Sequence, residues 1–530
     1  MDARELTAPM TIRMRRLGLF LGVALLAQPA LAADEIILLP DADGTTGSIV
    51  FSGGGRDSVL EEPRTRLLLY SSLLRQTRTN YPEAQIQDVF GGVLGIAIGP
   101  DDPLDNLPEI VNLTLATHPL TMQMAHERQA RDLYTREAYS NLLPRLNVRG
   151  EIGEEWTRDP FTRQFEDDFV DLTRREIEVN LRQTLFDGWA TQSEFGRRQA
   201  SADSSAYQYR ALAERVSSQV SDVYLNLLRD NDQLALAKKN VEIHESYVDR
   251  ISDRTSSGVG RESDLDQAVA RLAGAQSNVV ERETDLRDSL VRYVSLVGYP
   301  PLEVLIRPKP TKDDLPATLD EAIAYAVANH PSIDATEADM QAAQEQLRNA
   351  RSLYWPRIEV GLNRRYGDDL DGVEGWDEDI SIMLYLNYNL YNGRADRAKI
   401  QRSVFGIEQV RALREDTVRE VSEAVRQAWN GYTATERRMA SLERHVASML
   451  KTRDAYIEQW QINDRTLLDV LDAENELYTS QRTLVEAQRD YATALYRLRA
   501  SMGTLVAHFD AEMPYEADPS WDYADYGNTL

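Results

Sequence analysis

The sequence predicts an α+β membrane protein made from a duplicated unit of two β-strands plus long α-helical hairpins. Three observations predict it. The chain repeats itself once at a nearly fixed offset. Each repeat places two segments of strict apolar–polar alternation between long stretches of helical character. Beyond an N-terminal export leader there is no apolar run of the ~18 residues that a spanning helix needs, so strands with one apolar face are left to meet the membrane.

The repeat is read directly from paired landmarks. His118-Pro119 is followed 26 residues later by Pro144-Arg145-Leu146, and His330-Pro331 is followed 26 residues later by Pro356-Arg357-Ile358. The offset is 212, and Leu107 and Glu109 match Leu319 and Glu321 at the same offset. A second block aligns at offset 205: Leu185-Phe186-Asp187-Gly188 with Leu390-Tyr391-Asn392-Gly393, Asp264 and Ala268 with Asp469 and Ala473, and Gly298 with Gly503. The offset changes between Trp156 and Arg174, in a polar loop where length varies at little cost. The repeats span 106–299 and 318–505, joined by a linker at 300–317.

Each repeat opens with a helical stretch, about 106–142 and 318–354. It breaks at His-Pro, because proline disfavours helix at the residue before it. Two alternating segments follow. Leu146, Val148 and Ile152 alternate with Asn147, Arg149 and Glu151, and Ile177, Val179, Leu181 and Leu185 with Glu178, Asn180, Arg182 and Thr184. In the second repeat Ile358, Val360 and Leu362 hold the same period, as do Ile380, Ile382, Leu384, Leu386, Tyr388 and Leu390. A long helix, a break near Gly258-Val259-Gly260 or Ile462-Asn463-Asp464, and a shorter returning helix complete the unit. The helix from Gly188 to Ser256 would run ~100 Å. The returning helix and the helix before the first strand, stacked end to end, match that length. Four strands cannot close a membrane barrel, whose smallest form has about 8. An open sheet in lipid leaves backbone groups unsatisfied, so the chain must oligomerise; a trimer gives 12 strands.

Composition bounds the rest. Among 530 residues, 59 Lys+Arg stand against 86 Asp+Glu, a net charge of −27, which argues against a nucleic-acid partner. The absence of cysteine excludes disulfides, thiolate metal sites and a cysteine nucleophile. Arg13, Arg15 and Arg16, the apolar run Leu17 to Leu26 and Ala30-Leu31-Ala32 read as a signal peptide over 1–32. Residues 33–105 form an N-terminal extension of unassigned role, with short strands near Glu35–Leu39 and Gly47–Phe51. Ser52-Gly53-Gly54-Gly55 lacks the Lys-Ser/Thr of a phosphate loop and reads as a turn. The acidic stretch 506–530 reads as a disordered tail. The six histidines form no metal or catalytic set; His118 and His330 take duplicated, structural positions. Nothing resembles an activated Ser/His/Asp set, so no enzyme and no cofactor are expected. Trp156, Trp355, Trp376, Tyr354 and Tyr388 lie in or beside strands, as interfacial belt or packing residues.

Leu185-Phe186-Asp187-Gly188, Leu390-Tyr391-Asn392-Gly393 and, above all, Arg465-Thr466-Leu467-Leu468-Asp469-Val470-Leu471-Asp472-Ala473 resemble the TolC family of outer-membrane efflux proteins. The resemblance implies a homotrimer: a 12-stranded barrel in outer-membrane lipid, continuous with a periplasmic α-helical barrel. It implies docking to a periplasmic adaptor protein and an inner-membrane ABC transporter (or RND pump). It further implies a passive duct gated at its periplasmic tip, most simply for type I protein secretion, with small-molecule efflux as the alternative. Asp469 and Asp472, one helical turn apart, would form acidic rings that favour cations. Arg465 would latch to Ser263 and Asp264 of the other hairpin. Trp460 stands where the family has a latching tyrosine, and it donates only through its indole N–H. A soluble periplasmic coiled-coil scaffold is the alternative of a different class.

Overall fold

The computed structural model describes residues 36–39, 48–51, 107–158, 160, 163, 169–258, 260–301, 305–462 and 464–520. The leader at 1–32, the Ser52–Gly55 turn and the tail beyond 520 lie outside these residues. In the N-terminal unit, β1 (Ile36–Leu39) and β2 (Ser48–Phe51) pair antiparallel.

The duplication is visible in element lengths. α1 (Leu107–Thr117) and α2 (Pro119–Ser140) precede β3 (Arg145–Thr157) and β4 (Val170–Phe186); α3 (Ala190–Ser256) and α4 (Glu262–Val297) follow. The second unit has α5 (Leu319–Asn329), α6 (Pro331–Ser352), β5 (Arg357–Leu370), β6 (Val373–Asn387), α7 (Ala395–Gln461) and α8 (Leu467–Met502). α3 and α7 are both 67 residues long, and α4 and α8 both 36. At ~1.5 Å per residue the long pair each run about 100 Å. The breaks at His118 and His330 are helix caps. Each histidine is extended, with the proline at the next helix's first turn, and its Nδ1 accepts from the backbone N–H of Leu120 or Ser332. Among the described residues no helix is long and apolar enough to cross a membrane.

The four strands form one antiparallel sheet in the order β3-β4-β5-β6, so β3 and β6 are its edges. Register separates the faces. Leu146, Leu181, Leu362 and Ile382 align across all four strands, and the next row is Asn147, Asn180, Asn363 and Ser381. Among the described residues nothing covers the apolar face: Leu146 is 57% exposed and Ile382 69%.

The tail expected to be disordered is folded up to residue 520 and docks on the first repeat. α9 (Leu505–His508) and a 3-10 turn (Tyr515–Ala517) bury Leu505, Val506, Phe509 and Ala517 with Leu107, Ile110 and Val111. The buried Glu214 carboxylate accepts from the N–H of Leu505 at 2.9 Å and of Val506 at 3.2 Å. These apolar residues are few among acidic ones, so composition hid them. Burial pushes Glu214 from 4.5 up to about 7. Its protonated form is therefore favoured in the fold, and its stabilisation is full below the ordinary carboxylate range and lost as pH rises toward 7. The thermal midpoint of the wild type should fall more steeply between pH 4.5 and 7 than that of Glu214→Gln. Equal slopes would contradict this assignment.

Candidate gate at the hairpin tips

The two helical hairpins end together. α3 closes through Gly258, at φ +75, into α4. α8 starts from a reciprocal cap, in which the Thr466 hydroxyl accepts from Asp469 N–H while the Asp469 carboxylate accepts from Thr466 N–H. Just behind the turns, Tyr247 and Ile251 of α3, Ala268 of α4, Trp460 of α7 and Leu467, Val470 and Leu471 of α8 share one apolar cluster. Tyr247 meets Trp460 edge-on at 6.3 Å, and the Arg254 guanidinium lies 5.6 Å from the Trp460 ring centroid.

Trp460 lies within this cluster and is 8% exposed. Arg465 does not reach Ser263 or Asp264 within the chain. It stacks 3.8 Å from the Tyr456 ring centroid, donates to Gln459 Oε1 at 2.9 Å and approaches Asp469 at 3.9 Å, all on its own hairpin. Ser263 and Asp264 bond each other at 3.5 Å in the first turn of α4. The acidic pair is also engaged. Hydrogen bonds from the Thr466 hydroxyl and N–H hold the Asp469 carboxyl below its usual range. Asp472 pairs with Arg271 of α4.

Glu474 was not picked out by sequence reasoning. It is 3% exposed, where α8 meets α3 and α7. Tyr247 Oη donates to its Oε1 at 3.3 Å, and Arg453 Nη1 lies 3.4 Å from the same oxygen. Burial, then the Glu474 charge, pushes the Tyr247 phenol up. The signal was present: Leu467, Val470, Leu471, Glu474, Leu477 and Tyr478 occupy one helical stripe, and all are buried. The link runs from one hairpin to the other, so sliding the hairpins strips partners from a buried carboxylate. Among the described residues no group of histidines and carboxylates could hold a metal ion.

The family model for outer membrane efflux proteins matches residues 110–299 and 322–504. The chain belongs to the outer membrane efflux protein family. It is similar to the outer membrane efflux protein BepC of Brucella suis biovar 1 (strain 1330), with 26% identity over 63% of this chain and 73% of that one. It is also similar to the alkaline protease secretion protein AprF of Pseudomonas aeruginosa, with 25% identity over 74% and 83%. The solved outer membrane channel CmeC of Campylobacter jejuni shares the fold, with a TM-score of 0.64 at 16% identity, covering 80% of this chain and 89% of that one. The protein is an outer-membrane channel component of an export system, and the family is one of transport ducts.

For an efflux protein with this tip, Glu474 should matter to stability before conduction is considered. Glu474→Ala should cost about 1.5–3 kcal/mol and Tyr247→Phe about 0.5–1.5 kcal/mol, read as falls in the thermal midpoint of the helical circular-dichroism signal. Midpoints equal to the wild type would show that the crossing carries no stability.

Proposed function

We propose that three copies form the outer-membrane exit duct of a tripartite export system. The observation that carries it is the open-edged sheet with a bare apolar face, joined directly to helices ~100 Å long. Three such sheets supply 12 strands, enough to close a barrel in lipid, and the helices continue it as a periplasmic α-helical barrel. The helical end receives a periplasmic adaptor and, beyond it, an inner-membrane ABC transporter (or RND pump). Type I protein secretion is the favoured cargo class, because a relative named for alkaline protease secretion matches over 74% of the chain.

The duct is closed at the tip. Rings of Asp469 and Asp472 face the narrow entrance. Arg465 meets Ser263 and Asp264 of a neighbouring copy, since within one chain it meets neither. A charge-assisted bond there contributes ~1.5–3 kcal/mol when shielded. Three copies act together, so a modest bond keeps the open state rare. In planar bilayers Arg465→Ser should raise resting conductance, while Asp469→Ala with Asp472→Ala should lower cation selectivity without opening the tip. If the arginine variant conducts like the wild type and the double aspartate variant opens the pore, latch and filter are reversed.

A further inference from the structure

One face of the sheet is apolar, so in a closed barrel the other face lines the bore. Register lays that inner face out row by row. Arg149 stands opposite Glu178, Glu178 opposite Arg365, and Arg365 opposite Asp379. Opposite charges meet there across neighbouring strands, which stabilises a sheet. Toward the helices comes the uncharged row of Asn147, Asn180, Asn363 and Ser381, and beyond it the pattern breaks. Arg145 stands directly opposite Arg182, and the row runs on through Gly361 to Met383 without an acid. Like charges placed opposite each other destabilise a sheet. Arg145 opens β3 and Arg182 lies near the end of β4, so this row sits where the sheet joins the helices.

The other inward arginines are neutralised. Arg149 pairs with Glu151, Arg174 lies 3.3 Å from Glu155, Arg357 2.6 Å from Glu359 and Arg365 3.4 Å from Asp377. Arg145 and Arg182 pair with no carboxylate among the described residues: Arg145 donates to the Asn141 side-chain oxygen, and Arg182 Cζ lies 5.5 Å from the Tyr385 ring centroid. The stack depends on a glycine. Tyr385 is on β6, Arg182 on β4 and Gly361 on β5 between them, and a Cβ on Gly361 would lie 2.8 Å from Tyr385 Cε2. A glycine inside a strand marks a close approach, and here it lets the ring lie across β5 to reach Arg182. A ring face orients a guanidinium without neutralising it, and leaves N–H groups to bind an oxyanion.

We infer that Arg145 and Arg182 form a collar that binds the carboxylates of acidic cargo as it passes from the helical conduit into the barrel. The inference rests on the trimeric duct proposed above and adds a preference of that duct for its cargo. Three copies with two guanidinium groups each place six in one ring. A planar fork with no fixed counter-ion grips a carboxylate at two points. The favoured cargo is polypeptide, and the oxyanions of a polypeptide are carboxylates. Binding in an open ring is shallow, as conduction requires, because the cargo must also leave.

Single trimers in a planar bilayer test this, with hexaglutamate as the probe in the chamber that the barrel faces. Hexaglutamate should interrupt the wild-type current. Arg182→Gln should raise the half-blocking concentration about tenfold, and Arg182→Lys, which keeps the charge, far less. Arg149→Gln removes a paired arginine from the same face and should leave the block near the wild type. Free glutamate at the same carboxylate concentration should block weakly, since one contact replaces several. Should Arg182→Gln fail to assemble, Arg145→Gln carries the same test. A conducting wild type that hexaglutamate does not block, a block unchanged by loss of the collar arginine, equal loss in Arg149→Gln, or equal block by free glutamate would overturn the collar. A wild type that inserts no channel would instead remove the duct beneath it.

Discussion

Unpaired backbone groups along the outer edges of β3 and β6 govern how this chain can be used. In lipid each such group costs several kcal/mol, because no water is present to satisfy it. Four antiparallel strands leave two such edges, and among the described residues nothing covers them. The exposed apolar face adds a second requirement, since Leu146, Ile382, Leu384 and Leu386 are stable only against an apolar medium. In the proposed assembly, oligomerisation satisfies the first and the outer membrane the second. The helices then inherit their arrangement, because each strand pair hands the chain to α3 or α7 through a left-handed corner.

Below the sheet, stability comes from helix packing along a column that no single core could fill. Two short helices meet one long one, and the His-Pro junctions give the half-helices their defined ends. The folded tail then reinforces the middle of the column by capping α9 on Glu214. At the far end the two hairpins share an apolar cluster and a buried polar crossing. Such a crossing is cooperative: its partners are satisfied together or left unpaired together in a dry environment.

Much of this was legible in the sequence because periodicity and duplication are local signals. Strict alternation located the strands, and the constant offset of the second block agrees with the equal lengths of α3 and α7 and of α4 and α8. What stayed hidden depends on which helix face meets which neighbour. Trp460 reads as a substitute latch when aligned by position, yet its indole fills the space between α3 and α7. Arg465 was expected to meet the other hairpin, and within one chain it instead packs on the Tyr456 ring and donates to Gln459. Glu474 was one acid among many in an acidic chain, and only its place in the apolar stripe marks it. The tail was misread because its partner Glu214 lies 291 residues away from Leu505.

The central claim is that one chain supplies a third of a closed barrel, and native mass spectrometry of the detergent-solubilised protein tests it most directly. The account predicts a dominant species of three mature chains that collapses to single chains only on heating or strong denaturation. A dominant species of one chain, held in the same detergent and still folded, would contradict it.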